Sequence, residues 1–426
     1  MSDYRIETRC IQSGYTPGNG EPRILPIVQS TTFKYDSAER MGQLFDLEAS
    51  GDFYTRLGNP TLAAVERKIA DLEGGCGALL TSSGQAACFY AIFNICHAGG
   101  HVVSSSSIYG GTYNLIGKTL REMGVAVTFV NPNDPEDKLE AAFQPNTKLV
   151  FAETLANPTL VVCDIEKMAR LAHRHQVPLI IDNTFPTPIN CRPIEFGADI
   201  VVHSTTKYMD GHASSLGGVI VDSGRFDWDN GRFPELSEPD ASYHGIVYTR
   251  QFGNQAYIAK ARTHLMRDLG ATASPFNAFL LNLGLETLFL RMERHCRNAE
   301  AVARFLASDD RISWINYPGL PDSPYRTLVQ KYMPGGTCGV ISFGIRGGRE
   351  KAVAFMEALK LAAIVTHVAD ARTCVLHPAS TTHRQLSDAE LQAAGISPDM
   401  IRLSVGIEHV EDILADIRQA LEACSA

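Results

Sequence analysis

The sequence predicts an α/β fold, in which a mostly parallel central sheet covered by helices is followed by a smaller α+β C-terminal domain. Short runs of Ile, Val and Leu alternate with helical stretches between residues 61 and 223, as in a parallel sheet covered on both faces. After Pro318 the pattern changes, and strands at 339–345 and 401–407 flank a helix at 349–360. Two of the buried runs also end abruptly in polar side chains, as strands that lead to a ligand site do.

The composition of the chain limits the classes of protein to which it can belong. The chain has 426 residues, of which 45% are hydrophobic and 20% charged, the balance of a globular protein. The net charge of -9 and the lack of a basic block argue against a nucleic-acid partner. No run of 18 apolar residues and no apolar signal segment occur, so we expect no membrane association and a cytoplasmic location. Ten scattered cysteines without a CxxC pair, and no HExxH motif, predict free thiols and no metal.

Three units are expected along the chain. Residues 1–60 contain closely spaced Gly and Pro, and we interpret them as an irregular arm that packs on a second subunit. Residues 61–272 form the large domain, and residues 273–426 form the C-terminal domain, which opens with a helical region at 274–308. A polar insert containing Gly and Pro is expected at 224–245. The strands predicted for the large domain are 78–82, 125–130, 148–153, 178–182, 199–204 and 217–222, and the helices are 61–73, 84–97, 112–123 and 164–176.

The strongest chemical signal lies in LIIDNT (179–184) and IVVHSTTKYMDGH (200–212). Each segment opens as a buried strand, the first ending at Asp182 and the second leading to Lys207. Because ligands bind at the carboxyl ends of parallel strands, this acid and this lysine should converge at one sheet edge. A lysine that forms a Schiff base and an acid that holds a pyridine nitrogen protonated suit pyridoxal 5'-phosphate (PLP). Taken singly, each is more often a turn or surface residue.

Phosphate-binding groups are predicted around the same edge. The stretch LLTSSGQAA runs from a strand into a helix at Gly84, and helix N-termini attract anions. Alone this is an ordinary helix cap, but Ser204 and Thr206 would supply hydroxyl donors beside it. In YTRLGNPT, Tyr54 and Arg56 could clamp a phosphate, Arg through its planar fork; the alternative is a solvated turn.

Four further residues are candidates for stacking or substrate binding. Tyr109 follows a strand-like run, so its ring could stack on a pyridine ring and its hydroxyl could transfer protons. Asn157 follows the KLVFAE strand and could bind a substrate carboxylate or the cofactor, although an Asn-Pro pair is also a common turn. Arg402 opens an apolar strand and, together with Arg372, could pair with the carboxylate of an amino-acid substrate.

These residues lie within long, ordered motifs that resemble one known family. The motifs are YTRLGNPT, LEGGCGALLTSSGQAA, ANPT, DNTF, STTKY, SPFNAFLLNLGLETLFLRMERH, HPASTTH and RLSVGIEH. Together they resemble the Cys/Met-metabolism branch of the fold-type I PLP-dependent enzymes, over nearly the whole chain. Within that branch the chain is most similar to the O-acetylhomoserine sulfhydrylases, on the insert FDWDNGRFPELSEPDASYHG, the segment NYPGL and the stretch DARTCVLHPASTTH.

The resemblance implies a role for each candidate. Lys207 matches the Schiff-base lysine, Asp182 the partner of the pyridine nitrogen and Tyr109 the stacking, proton-transferring tyrosine. The phosphate contacts that it implies are Gly84, Gln85, Ser204 and Thr206, with Tyr54 and Arg56 reaching the phosphate of a neighbouring subunit. The substrate-carboxylate contacts that it implies are Asn157 and Arg402, with Arg372 marking the sulfhydrylase form of the motif. It also implies a homo-oligomer, a tetramer built as a dimer of dimers.

The activity implied is γ-replacement on O-acetyl-L-homoserine with sulfide, giving L-homocysteine and acetate. A γ-lyase acting on methionine, cystathionine or a related amino acid would use the same residues, while a regulator without turnover would have no need of Lys207. The acyl group and the thiol acceptor stay open. Methionine γ-lyases carry a cysteine where this chain has Gly111, which argues against that activity. The chain also has Ala369 where sulfhydrylases have Gly, and sulfhydrylases have an Asn near the position of His367, which leaves the details of substrate recognition open.

Overall fold

Two sheets organise the chain in the computed structural model, which describes residues 4–382, 384, 391 and 395–425. The first has seven strands in the order β1-β7-β6-β5-β4-β2-β3, and the second has five in the order β10-β11-β12-β9-β8. The strands are β1 Gly77–Thr81, β2 His101–Ser105, β3 Ala126–Val130, β4 Thr147–Glu153, β5 Leu179–Asp182, β6 Ile200–His203, β7 Gly218–Asp222, β8 Ile312–Asn316, β9 Val340–Ile345, β10 Ala363–Ile364, β11 Cys374–Leu376 and β12 Met400–Ser404.

Helices cover both sheets. Those up to residue 269 are α1 Ile6–Gln12, α2 Ala38–Phe45, α3 Pro60–Glu73, α4 Gly84–Phe93, α5 Gly110–Asn114, α6 Leu120–Glu122, α7 Glu136–Glu140, α8 Ile165–Arg174, α9 Thr187–Asn190, α10 Pro234–Ser237, α11 Tyr248–Phe252, α12 Ala256–Lys260 and α13 Arg267–Leu269. Those that follow are α14 Pro275–Glu286, α15 Leu288–Ala307, α16 Arg326–Tyr332, α17 Gly348–Ala358 and α18 Val410–Ser425. No helix among the described residues is long and apolar enough to cross a bilayer.

The large sheet confirms the predicted mostly parallel arrangement. Strands β2 to β6 run parallel, and β7 is antiparallel to both β6 and β1. Ile180, Ile181, Val201 and Val202 are fully buried, because helices cover both faces of the sheet. This double burial explains why β5 and β6 are apolar until their last residues, where the polar groups begin.

The second sheet is mainly antiparallel and confirms a C-terminal α+β unit. Strands β8, β9, β12 and β11 pair antiparallel, and β10 joins β11 in parallel. Helices α17 and α18 pack together on this sheet around a core that includes Phe343 and Phe355. The boundaries at residues 60 and 272 remain a proposed division of the chain.

Three segments differ from the sequence-based expectations. The arm of residues 1–60 is less irregular than predicted, since it contains α1 and α2. The helical region at 274–308 is divided at Thr287 into α14 and α15. The insert at 224–245 reads as polar, but Trp228, Phe233 and Leu236 are buried in the core beneath the large sheet. Three apolar residues spaced among charged ones give too weak a periodic pattern to reveal that burial.

Candidate active site

Lys207 lies just beyond β6, at the carboxyl edge of the large sheet, and its side chain is largely buried. Its Nζ is 3.5 Å from Nδ1 of His367, which belongs to the loop between β10 and β11. Burial, and then the positive charge of Arg402, lower the pKa of Lys207 to about 8. About a tenth of this lysine is therefore uncharged at pH 7, far more than of an ordinary lysine, and the uncharged amine is the nucleophilic and basic form.

Asp182 ends β5, beside the start of the segment that holds Lys207. Its Oδ1 accepts hydrogen bonds from the N–H of Thr184 at 3.0 Å and from the Thr184 hydroxyl at 2.5 Å. No described residue donates to the other oxygen, Oδ2, and burial raises the pKa of the carboxyl group. A buried carboxylate with one free oxygen fits a cationic ring N–H, because the cation would offset the desolvation of the carboxylate.

A tight approach between helix α4 and the end of β6 forms a candidate phosphate cradle. Ser83 caps α4 by accepting the N–H of Ala86, and the helix begins at Gly84. A Cβ atom at position 84 would lie 2.6 Å from Cβ of Ser204, so glycine alone fits there without a shift. The helix N-terminus and the Ser204 hydroxyl, which has no partner within the described chain, can therefore bind one anion.

Thr206 lies at the same edge but its hydroxyl is already engaged. It donates to the carbonyl oxygen of Gly217 at 3.2 Å and accepts the Gly217 N–H at 3.1 Å. The hydroxyl thus ties the segment that bears Lys207 to the strand that follows it. To donate to a phosphate, Thr206 would have to exchange its bond to the Gly217 carbonyl.

Tyr109 stands at the mouth of the site, with 47% of its surface exposed. A Cβ atom at position 111 would lie 2.5 Å from Cε1 of the Tyr109 ring and 3.0 Å from Nε2 of Gln85. Gly111 therefore leaves room for the ring in this position, and any side chain there would push the ring or Gln85 aside. An exposed ring held near the N-terminus of α4 is well placed to cover a planar ligand.

Glu153, the last residue of β4, is a site residue that the sequence analysis did not single out. Its Oε1 accepts the backbone N–H of Tyr109 at 2.6 Å, and its Oε2 accepts that of Asn157 at 3.3 Å. Burial, reinforced by the charge of Asp182, raises the pKa of Glu153 well above its usual value. The sequence could have indicated Glu153 by its position, since it is an acid at the end of the KLVFAE strand, as Asp182 is at the end of β5.

Arg402 and Asn157 meet at the side of the site formed by the second sheet. Arg402, 6% exposed on β12, donates from Nη1 to Oδ1 of Asn157 at 3.3 Å and from Nη2 to the carbonyl oxygen of His367 at 3.2 Å. Its Nε is buried and has no hydrogen-bond partner among the described residues. A buried guanidinium that pairs with no carboxylate in the described part of the chain, and that has an unused donor, fits a carboxylate ligand.

The structure places Arg372 outside this cluster. Its side chain is 69% exposed, its Nη2 donates to the carbonyl oxygen of His212 at 2.8 Å, and its Nε lies 3.5 Å from Asp370. It therefore fastens the loop around Asp370 to the loop after β6. Arg372 therefore holds that loop and makes no direct contact with Arg402 or Asn157.

The side chains of Tyr54 and Arg56 contact each other and, among the described residues, make no hydrogen bond to the cradle of their own chain. The Arg56 guanidinium sits over the Tyr54 ring, 5.2 Å from its centroid. Within the described chain the guanidinium makes no hydrogen bond or ion pair. The backbone carbonyl oxygen of Arg56 accepts a hydrogen bond from the hydroxyl of Thr272. The full set of guanidinium donors is free to bind an anion.

Fold and site together are those of a PLP-dependent enzyme. The two sheets bring a lysine of lowered pKa, a buried acid, a helix N-terminus and a spare arginine donor to one cleft. The chain belongs to the Cys/Met metabolism PLP-dependent enzyme family, whose model matches residues 7–422.

Individual relatives are similar over nearly their full length. The chain is 46% identical to the homocysteine synthase of Schizosaccharomyces pombe over 421 residues, covering 98% of each chain. It is 47% identical to the O-acetyl-L-homoserine sulfhydrylase of Corynebacterium glutamicum, covering 98% of this chain and 97% of the relative. A crystal structure from Campylobacter jejuni that contains N'-pyridoxyl-lysine-5'-monophosphate matches with a TM-score of 0.95 and 37% identity, covering 98% of this chain and 100% of that one.

Proposed function

We propose that the protein catalyses γ-replacement on O-acetyl-L-homoserine with sulfide, releasing L-homocysteine and acetate. The observation that carries the proposal is the pairing in one cleft of Lys207, whose pKa is about 8, with the buried, partly unpaired Arg402. A lysine base beside a carboxylate receptor is what proton removal from an amino acid requires. The names of relatives with 46% and 47% identity, homocysteine synthase and O-acetyl-L-homoserine sulfhydrylase, support the same reaction.

The residues of the edge would hold the cofactor in distinct ways. Lys207 would link to it, Asp182 would pair with its ring nitrogen, and Tyr109 would cover its ring. Its phosphate would be bound by Gly84, Gln85, Ser204 and Thr206. When bound, PLP supplies an electron sink for the charge that develops on the substrate carbon skeleton.

The remaining steps belong to side chains of this chain. Arg402 and Asn157 bind the substrate carboxylate and orient Cα toward Lys207. Lys207 removes the Cα proton and then acts at Cβ, after which acetate leaves Cγ with the bonding electron pair. Sulfide adds at Cγ, and Tyr109, at the mouth of the cleft, serves as acid and base for that step. Arg372 contributes by holding the loop of Asp370 in place.

We infer further that the active unit is a homo-oligomer, with a tetramer built as a dimer of dimers. Among the described residues, the side chains of Tyr54 and Arg56 make no hydrogen bond to the cradle of their own chain, which supports a role in the phosphate site of a neighbour. A two-fold interface is the commonest way in which identical subunits close. All ten cysteines are free thiols, which fits the cytoplasm.

One substrate panel tests the reaction. The panel compares O-acetylhomoserine with O-succinylhomoserine, methionine and cystathionine. Homocysteine reports replacement, and α-ketobutyrate, measured separately, reports elimination. We expect kcat/KM to be highest for O-acetylhomoserine with sulfide. Methanethiol in place of sulfide tests the acceptor. Elimination from methionine or cystathionine that is faster by about an order of magnitude would assign the protein as a γ-lyase, a difference of roughly 1.4 kcal/mol in barrier.

A further inference from the structure

Glu73, Asn183 and His203 lie within or beside motifs of the sequence but have no part in the cleft described so far. Glu73 belongs to LEGGCGALLTSSGQAA, Asn183 to DNTF, and His203 stands directly before STTKY. All three side chains are buried, and they meet beneath the carboxyl edge of the large sheet. Burying a carboxyl group and an imidazole ring costs free energy that their contacts must offset, so these contacts point to a role for the cluster.

A single oxygen of Glu73 joins this cluster. Oε1 accepts a hydrogen bond from Nδ2 of Asn183 at 3.1 Å and lies 2.6 Å from Nε2 of His203. The Asn183 amide also donates to the carbonyl oxygen of Cys191 at 2.8 Å and accepts the hydroxyl of Thr154 at 2.9 Å. Thr154 follows β4, Asn183 follows β5 and His203 ends β6, so one buried network ties three neighbouring strand ends together.

The position of Glu73 is locally unfavourable for an acid. It is the last residue of α3, where the helix dipole places partial negative charge. Its ion-pair partner in the described part of the chain is His203, and both side chains are 0% exposed. An acid buried at this end of a helix is explained by the contacts of its Oε1 rather than by the stability of α3.

The cluster lies directly behind Asp182. In the register of β5 and β6, Asp182 pairs with Val202, so Asn183 lies level with His203. Successive side chains of a strand point to opposite faces of the sheet. Asn183 and His203 therefore project from the face opposite to Asp182. They are also the chain neighbours of Asp182 and Ser204, respectively.

The ends of β5 and β6 are consequently joined on both faces of the sheet. On the cofactor face, the Thr184 hydroxyl donates to Oδ1 of Asp182 at 2.5 Å and accepts the N–H of Ser204 at 2.9 Å. On the opposite face, Glu73 joins the residues next to them. Burial raises the pKa of Asp182, whereas the bonds from Thr184 and the charge of His203 lower it, so the cluster also favours the charged carboxylate.

The cofactor requires a fixed distance between these two strand ends. Its ring nitrogen and its phosphate are joined through one planar ring and a short ester arm, so their separation varies little. Asp182, the proposed partner of the ring nitrogen, ends β5, and Ser204, in the phosphate cradle, follows β6. A change of about 1 Å in their separation would weaken one of the two contacts.

We propose that Glu73 is a positioning residue that sets the distance between Asp182 and Ser204. It acts through Asn183 and His203, which it holds together beneath the sheet. The ring nitrogen and the phosphate of one cofactor molecule can then reach their partners at the same time. This role rests on the proposed function, in which Asp182 pairs with the ring nitrogen, and it adds no step to the reaction.

A cofactor analogue that lacks the ring nitrogen separates positioning from general stability. 1-Deaza-PLP has CH in place of that nitrogen and keeps the phosphate, so it uses the cradle but not Asp182. The holoenzyme is prepared with each cofactor, and the cofactor retained after timed dilution is quantified by mass spectrometry. We expect the wild type to release 1-deaza-PLP about 10- to 100-fold faster than PLP, the usual effect of losing one charged hydrogen bond. Asp182→Asn should remove most of this difference.

Glu73→Met should reduce the difference by about tenfold, because it removes the shared acceptor of Asn183 and His203. His203→Gln, whose amide can still donate to Oε1, should keep the wild-type difference. Glu66→Met is the matched control, because Glu66 lies on the same helix and its buried carboxyl group also pairs, with Arg262 at 2.6 Å and with a backbone N–H of β1. Its loss should change the release of both cofactors by the same factor.

The double variant Glu73→Met with His203→Leu guards against misfolding. Replacing both members of a buried pair by apolar side chains of similar size is often neutral for stability. The double variant should show the same reduced difference as Glu73→Met. Failure of both variants to fold would show that the cluster serves only the fold, and would overturn the proposal.

The outcomes also separate this role from the proposed function. A wild-type difference that survives in both Glu73 variants, or equally faster release of both cofactors, would overturn the positioning role and leave the reaction untouched. Equal release of both cofactors by the wild type would overturn the pairing of Asp182 with the ring nitrogen, and the role of Glu73 with it. A difference that depends on Glu73, in a protein that makes no homocysteine, would support Glu73 and overturn the proposed reaction.

Discussion

The carboxyl group of Glu153 accepts the backbone N–H of Tyr109 at 2.6 Å. Its second oxygen accepts the N–H of Asn157, so one buried acid at the end of β4 fixes both the residue proposed to cover the cofactor and the residue proposed to bind the substrate. Neither contact involves the side chain of Tyr109 or Asn157. Glu153 is therefore a positioning residue, and its effect is transmitted through the backbone.

Replacing Glu153 by Gln should loosen both segments. The amide keeps the shape but has one acceptor oxygen, so one buried N–H loses its partner at a cost of about 1–3 kcal/mol in the free energy of unfolding. We expect kcat to fall as well, because Tyr109 or Asn157 shifts. Denaturant unfolding and steady-state kinetics check this, with the exposed Glu39→Gln as control. Unchanged stability and kcat in Glu153→Gln would refute the bridging role.

Lys207→Ala should lose the covalent link to the cofactor while still binding it through the phosphate cradle. We expect the wild type to be yellow and to gain the mass of reduced cofactor after borohydride treatment. The variant should bind free PLP reversibly, gain no such mass and have no measurable turnover, since it lacks both nucleophile and base. Normal turnover by Lys207→Ala would show that Lys207 is neither the lysine linked to the cofactor nor the base.

Arg402 and Arg372 should differ in what they control. Arg402→Ala removes a buried charged partner of the substrate carboxylate, which typically costs about 2–5 kcal/mol, so kcat/KM should fall for every amino-acid substrate together. Arg372→Ala, at a side chain 69% exposed, should have a smaller effect that changes the ratio of O-acetyl- to O-succinylhomoserine. Kinetics with both esters decide, and a uniform loss in Arg372→Ala would contradict a role in leaving-group preference.

A shared site predicts complementation between inactive variants. Arg56→Ala damages the phosphate contact that one chain gives its neighbour, and Lys207→Ala removes the lysine of its own site. A mixed dimer then contains one site with both residues intact, so partial activity should return on mixing. Labelled subunits must first be shown to exchange, with each variant mixed with itself as control. No recovery despite demonstrated exchange would count against Tyr54 and Arg56 acting between subunits.

Asp222, at the end of β7, should make stability fall as pH rises. Burial raises its pKa from 3.8 to about 7, and its Oδ2 is buried without a partner among the described residues. Between these two pKa values the folded protein keeps a proton that the unfolded chain has released. The free energy of unfolding therefore decreases as pH rises toward 7, by up to about 1.4 kcal/mol per pH unit. Asp222→Asn keeps the bond from the Gly224 N–H and should remove this slope.

Unfolding of Asp222→Asn and wild type at pH 5 and pH 8 measures the slope. The control is Asp36→Asn, whose carboxyl is 94% exposed and whose replacement should leave the pH dependence unchanged. A wild type and an Asp222→Asn protein with equal stability changes over this range would show that Asp222 stays charged in the fold.

The sequence allowed the large sheet and its edge to be predicted because both depend on local patterns. Apolar runs buried on two faces end at Asp182 and before Lys207, and the parallel arrangement then brings the strand ends together. The contact between Lys207 and His367 has no such local pattern, since a loop of the second sheet makes it. No periodicity indicates that Trp228 is buried, or that the hydroxyl of Thr206 forms hydrogen bonds with the backbone of Gly217.

The close approach of Gly84 to Ser204 has a mechanical consequence. Because a Cβ at position 84 would lie only 2.6 Å from Cβ of Ser204, the start of α4 and the segment after β6 form one closely packed block. Lys207 belongs to that block, whereas His367 and Arg402 belong to the other sheet. Arg402 bonds both the His367 carbonyl oxygen and Asn157, which follows β4 of the large sheet, so the carboxylate receptor is tied to both sheets. A shift of one sheet against the other would change the position of Arg402 relative to Lys207, and with it the position of a bound carboxylate.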